Sequence, residues 1–130
     1  MKVFDTSFLI DYGNAVDAAG AYLEAHAEEA FVFPAPVYTE YLLGTVHSDV
    51  DTDIADARRE LAWGDVIETS EEIAVIAVEI ADEIGPQGPD MAAVDALVAA
   101  VGRDLGAAVV SSDSDLTHDE TKRVVEIEEY

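Results

Sequence analysis

Residues 90–112, DMAAVDALVAAVGRDLGAAVVSS, leave the chain few ways to fold. Between Met91 and Val101 apolar residues occupy nearly every helical face, and only Asp95 interrupts them before Arg103. A helix that is apolar all round has to be buried. Gly106 stops it, and AAVV follows without polar alternation, the pattern of a strand covered on both faces. KVF at 2–4 and FVF at 31–33 are two further short, β-rich runs flanked by breakers, and RVVEIE at 123–128 reads as a fourth strand. VIE at 66–68 reads either as a short edge element or as a loop.

The intervening segments carry helical spacing. Residues 14–29 place Val16, Ala19, Tyr22, Leu23 and Ala27 on one side, and FLIDY forms a short helix before them. PAPVYTEYLLGTV has Pro36 in its first turn, where a missing N–H does no harm, and Gly44 near its end. DTDIADARRELAWG has Ile54, Ala57, Leu61 and Ala62 on its apolar side. SEEIAVIAVEIADEIG starts at a Ser70 N-cap and stops at Gly85. Short apolar strands alternating with helices specify an α/β fold, a three-layer α/β/α arrangement around a central parallel sheet. At 130 residues the chain is read as one domain, 1–130.

Charge is the second constraint. The chain has 29 acidic and 6 basic residues, a formal net charge of −23, and only Lys2 and Lys122 are lysines. At low salt such a surface repels itself and nucleic acid. At about 1 M salt the Debye length falls to roughly 3 Å and both penalties fade, so the composition suits the salt-loaded cytoplasm of a halophile; an ordinary acidic surface is the alternative. Cysteine is absent, so disulfides and thiolate metal sites are ruled out. AVDALVAAV is too short to cross a membrane and carries Asp95. The N-terminus lacks the basic and apolar regions of a signal peptide. A cytoplasmic protein without membrane contact is expected.

Ligands of parallel α/β folds bind beyond the carboxyl ends of the strands, which directs attention to Asp5 after KVF and to SSDSD after AAVV. In so acidic a chain an acid is informative only where its neighbours forbid a solvated one. Asp95 is flanked at helical spacing by Met91, Ala92, Val98 and Ala99, and a buried carboxylate is costly unless paired, hydrogen-bonded or metal-bound. Glu40 shares a helical face with Pro36, Val37, Leu43 and Gly44, although a Glu can also extend to solvent. Asp113 or Asp115 could serve to start a turn, and Asp5 to cap the helix after it. Asp49, Asp51, Asp53, Asp56, Glu71, Glu72, Glu79, Asp82 and Glu83 read as solvated surface, Asp90 as a first-turn helix acid, and Asp11 as ambiguous. If Asp5, Glu40, Asp95 and Asp113 converge, they cannot all remain ionised unaided. Hard divalent cations of the Mg²⁺ or Mn²⁺ type relieve such an oxygen cluster and support phosphodiester hydrolysis.

Taken in order, VFDTSFLID, PVYTEYLLG and DALVAAVGRDLGAAVVSSDSDL resemble the PIN-domain ribonucleases, specifically the VapC-like toxins of type II toxin–antitoxin modules. The resemblance covers nearly the whole chain. It implies an α/β/α fold, a pocket binding Mg²⁺ or Mn²⁺, and endonucleolytic cleavage of RNA. It implies Asp5 and Asp95 as principal metal ligands, completed by Glu40 and Asp113. Thr6 and Ser111 would orient carboxylates or water, and Asp115 would be a less constant fifth acid. Leu116 stands where an aromatic is frequent. A cognate antitoxin and a homodimer are implied partners, with Tyr38, Tyr41, Leu42 and Trp63 either surface for such contacts or core. Arg58, Arg59, Arg103 and Arg123 are the few residues that could hold an RNA backbone; Arg58 and Arg59 read more simply as surface salt-bridge residues. A haloacid-dehalogenase-like phosphatase is excluded, because Ser7 stands where a second Asp is needed and Lys122 follows the acidic pair instead of preceding it. A catalytically silent PIN-like binding module is the remaining alternative.

Overall fold

The computed structural model of the chain describes residues 1–48 and 51–130, so Asp49 lies outside the described residues. Strand β1 (Lys2–Phe4) is flanked by β2 (Phe31–Pro34) and β4 (Ala108–Val110), with β3 (Asp65–Ile67) and β5 (Ile127–Glu128) outside them. Every neighbouring pair is parallel, giving the order β3-β2-β1-β4-β5, and helices cover both faces in three layers.

Each inner strand is apolar because both of its faces are covered. In β1, Phe4 meets Phe8, Tyr22, Phe31, Phe33 and Trp63 with ring centroids 4.4 to 6.3 Å apart, while Val3 is buried on the other face. The aromatic face is closed by α1 (Thr6–Gly13) and α2 (Asp17–Ala25), which supply Phe8 and Tyr22. Helix α6 (Ala93–Leu105) packs on β1, β2 and β4, with α5 (Glu71–Ile84) against it. Gly102 makes that approach possible, since a Cβ there would lie 2.6 Å from Val109 Cγ2. Gly106 ends α6 in the left-handed region (φ 59°), the conformation glycine adopts at least cost. Helices α3 (Ala35–Val46) and α4 (Ile54–Glu60) follow β2, and α7 (Asp119–Lys122) precedes β5.

Several expectations need correction. Helix α6 starts at Ala93, so Asp90 precedes it and is not a first-turn acid. The run 123–128 is not a strand throughout: Thr121 O accepts from both Val124 N and Val125 N, closing a turn after α7 and leaving two residues to β5. VIE is the edge strand β3, shifted by one residue. Val16, Ala27, Ile54 and Ala62 are exposed: Val16 precedes α2 as its N-cap, Ala27 and Ala62 lie beyond the last turns of α2 and α4, and Ile54 opens α4 at the surface. Tyr41 is buried in the core, while Trp63, packed among Phe4, Phe8, Tyr12, Phe31 and Phe33, lies partly buried against it, as do Tyr38 and Leu42. Among the described residues no helix is long and apolar enough to cross a membrane.

Candidate functional site

Strand β1 ends at Phe4, and Asp5 is at once the N-cap of α1 and a buried carboxylate, 2% exposed. Its Oδ1 accepts from Phe8 N at 3.0 Å, and Ser7 Oγ donates to both carboxylate oxygens at 2.8 Å. Ser111, fully buried at the end of β4, donates its hydroxyl to Asp5 Oδ2. These donors favour the ionised form, yet burial outweighs them and the Asp113 charge adds to it, so the Asp5 pKa stands above its ordinary value. Capping and site chemistry fall on the same side chain.

Beyond β4 the chain turns sharply. Ser111 Oγ accepts from Asp113 N, and Asp113 Oδ1 accepts from Asp115 N at 2.8 Å and Leu116 N at 3.2 Å. Leu116 is fully buried and anchors this turn in the core. Asp113 thus starts a turn and still lies close to Asp95. Oxygens of Asp95, Asp113 and Asp115 all lie within 4.8 Å of one another, each side chain half-buried. Asp5 and Glu40 stand outside that close trio, although their charges act on Asp95.

Asp95 lies in the first turn of α6, the end of a helix that favours a negative charge. Among the described residues no donor hydrogen-bonds its carboxylate. Burial, then the charges of Asp113, Asp5, Asp115 and Glu40, push its pKa up to about 6. No ion pair of the described residues involves any of these five acids.

Glu40 departs from expectation. It is exposed, because the second half of α3 runs along the surface: Leu43 is 50% exposed and Gly44 has open space beside it. Thr6 Oγ1 donates to Glu40 Oε1 at 2.6 Å, so Thr6 orients Glu40, while Ser7 and Ser111 orient Asp5. Ser7 was missed because a serine two residues into a helix start carries no signal beyond local capping. Asp51, Asp53, Asp56, Glu71, Glu72, Glu79, Asp82 and Glu83 are exposed as expected.

The arginines lie elsewhere. Arg59 pairs with Asp56, as a surface salt-bridge residue should, whereas Arg58 Nε donates to Tyr38 OH at 3.1 Å. Arg103 pairs with Glu83, and Arg123 reaches Glu120 and the Glu83 carbonyl. An all-oxygen set with uncompensated charge and a carboxylate free of donors fits a hard divalent cation.

The family model described as PIN domain matches residues 2–122. Solved structures with a similar fold include VapBC2 from Rickettsia felis bound to a promoter DNA fragment, at TM-score 0.77 and 18% identity over 99% of this chain and 98% of that one. FitAcB from Neisseria gonorrhoeae matches at TM-score 0.75 and 19% identity, over 98% and 96%. The sarcin–ricin loop cleaving toxin VapC20 from Mycobacterium tuberculosis matches at TM-score 0.68 and 21% identity, over 96% of each chain. No curated protein matches the sequence.

Proposed function

This chain belongs to the PIN-domain family, and on that premise we propose that it is a metal-dependent endoribonuclease, the toxin of a type II toxin–antitoxin module. The observation that carries the reading is Asp95: a half-buried carboxyl without a hydrogen-bond donor among the described residues, raised to about 6 by burial and four neighbouring acids, with two of those acids within 4.8 Å. The N-terminus of α6, in whose first turn Asp95 lies, favours its charge, but no cation of the described residues pairs with it, and a divalent ion would fill that place.

Asp5, Asp95 and Asp113 are the residues we assign to Mg²⁺ or Mn²⁺, with Asp115 beside them and Glu40 completing the pocket from α3. When bound, such an ion supplies water activation and neutralises charge developing at a scissile phosphate. The chain's own residues hold the ligands still. Ser7, Ser111 and Phe8 N fix the Asp5 carboxylate, the turn N–H groups of Asp115 and Leu116 fix Asp113, and Thr6 fixes Glu40. Asp95 keeps its lone pairs free. In the reaction a water oxygen adds to phosphorus as the bond to the leaving oxygen breaks.

Residues 1–130 act on this reading as one PIN domain in a halophile cytoplasm, as a homodimer held by a cognate antitoxin until released. RNA is the substrate favoured by the family and by the activity named for the M. tuberculosis relative. High salt accounts for the lack of a cationic RNA grip, because phosphate contacts add little affinity there.

The test is incubation of the protein with mixed structured RNAs in concentrated KCl, with Mn²⁺, with EDTA, and with Asp95→Asn in parallel. Discrete cleavage requiring both the metal and Asp95 is expected. Metal-independent cleavage, or cleavage by Asp95→Asn at the wild-type rate, refutes the mechanism. Metal binding without cleavage of any RNA would favour a silent binding module.

A further inference from the structure

Asp11, Ser112 and Tyr130 have no role in the site described above, yet they join the two segments that carry its acids. Tyr130 follows β5, which pairs with β4 and so brings it beside the loop holding Ser112 and Asp113. Its ring packs against Phe8 of α1 with centroids 4.7 Å apart. Its hydroxyl lies 2.6 Å from Asp11 Oδ2 on α1 and 3.1 Å from Ser112 Oγ. On its other side Ser112 approaches Ser7 Oγ with its N–H at 3.3 Å and its Oγ at 3.4 Å.

Counting protons fixes the direction of these bonds. An ionised carboxylate only accepts, and each hydroxyl has one proton. The Tyr130 proton therefore goes to Asp11, and the single Ser112 O–H proton, which both Ser7 Oγ at 3.4 Å and Tyr130 OH at 3.1 Å can accept, goes to the nearer Tyr130. The Ser7 proton goes to Asp5, so Ser7 Oγ accepts from Ser112 N–H. Ser112 is thus a hub with two outgoing branches: its O–H leads through Tyr130 to Asp11, and its N–H leads through Ser7 to Asp5. Burial and then the Asp11 hydrogen bond push the Tyr130 phenol up to about 12, so it remains a donor at neutral pH.

We propose that Tyr130 is a positioning residue of the candidate site: with Asp11 it clamps Ser112 onto α1, and through Ser112 and Ser7 it sets the orientation of the Asp5 carboxylate relative to Asp113. The inference rests on the metal-pocket reading, because Asp5 orientation matters to binding only if Asp5 helps to hold a cation. Partners that orient a metal ligand without touching the metal typically contribute about 10–100-fold in affinity or activity.

The experiment is a Mn²⁺ titration, followed by the electron paramagnetic resonance signal of the free ion, of wild-type protein, Tyr130→Phe, Asp11→Ala, the double variant and Asp95→Asn. Metal-free melting of each variant is measured alongside. Tyr130→Phe keeps the ring against Phe8 and should fold. It is expected to weaken Mn²⁺ binding about 10-fold, within the range for such partners. Asp11→Ala should do the same, and the double variant should be no weaker than the worse single, as for residues of one network. Unchanged Mn²⁺ affinity in Tyr130→Phe, even with a lowered melting temperature, would reduce Tyr130 to packing and overturn the proposal. Independent, multiplying losses from the two substitutions would overturn the clamp. If Asp95→Asn binds Mn²⁺ as tightly as wild type, the metal-pocket reading itself fails, an outcome distinct from the failure of Tyr130 alone.

Discussion

Two groups of carboxylates flank β1, and their pKa values are shifted in opposite directions. Beside the start of the strand, Lys2 Nζ is 2.6 Å from Glu128 and 3.8 Å from Glu29. Burial raises the Glu128 pKa, but hydrogen bonds from Lys2 and Tyr22 and the Lys2 charge more than reverse it, and the net shift is downward. Glu29 is also lowered, first by its hydrogen bond with His26. Beyond the end of the strand, Asp5 and Asp95 are raised. The difference lies in where the cations are. Lys2, Arg59, Arg103, Lys122 and Arg123 pair with acids away from the pocket, and Arg58 bonds Tyr38. A chain with 29 acids and 6 basic residues thus leaves its most crowded acids without a cation of their own. One group is internally neutralised; the other carries its charge with no paired cation among the described residues.

That contrast can be broken at either end. The largest effect is expected from Asp95→Asn in the RNA cleavage assay: a loss exceeding the ~100-fold upper range for groups that merely orient a metal ligand. Next, Lys2→Met should strand Glu128 beside Tyr22 and destabilise the fold by about 2 kcal/mol, read from denaturant midpoints, while Mn²⁺ affinity stays unchanged. A change in Mn²⁺ affinity would mean the two groups are not independent.

The pH response sharpens the contrast further. Asp95 in the metal-free protein titrates near 6 against an ordinary 3.8, so its contribution to stability is fully present below about 3.8 and lost as pH rises through about 6. Metal binding needs the ionised carboxylate and should run the other way. Stabilisation by Mn²⁺ is expected to grow as pH rises through about 6, measured as the difference between melting temperatures with and without metal. The smallest effect is reserved for Thr6→Val, which frees Glu40 at an exposed position. Hydrogen bonds to charged groups are worth about 1.5–3 kcal/mol when shielded from water; this one is exposed and worth less, so a few-fold fall in cleavage rate is expected.

The parts of the fold legible in the sequence are those where burial dictates composition. The middle of α6, from Val98 to Gly102, and strands β1 and β4 are buried, and their composition says so; the ends of α6 reach the surface, with Ala93 and Leu105 exposed and Asp95 half-buried. Asp5 and Asp113 were legible because both follow strands at the carboxyl edge of the sheet. The burial of Glu40 was not legible: helical spacing pairs it with Val37 and Leu43, but only the sheet decides which side of α3 is inward, and Leu43 is half-exposed. The run at 123–128 looked like a strand, whereas Thr121 gathers the N–H groups of Val124 and Val125 into a turn. Tyr130 and Ser112 carried no local pattern at all. Their meeting with Asp11 depends on β5 pairing beside β4, a long-range contact that no local spacing encodes.

The central claim, that this pocket is strained alone and relieved by a divalent cation, is tested most directly by melting wild-type protein and Asp95→Asn in concentrated KCl, each with and without Mn²⁺. Without metal the variant should melt higher at neutral pH, by about 3 °C if roughly 1 kcal/mol of repulsion is removed. With Mn²⁺ the order should invert, since only wild type binds the ion through an intact pocket. Equal Mn²⁺ shifts in both proteins, or a metal-free variant that melts well below wild type, would contradict the account.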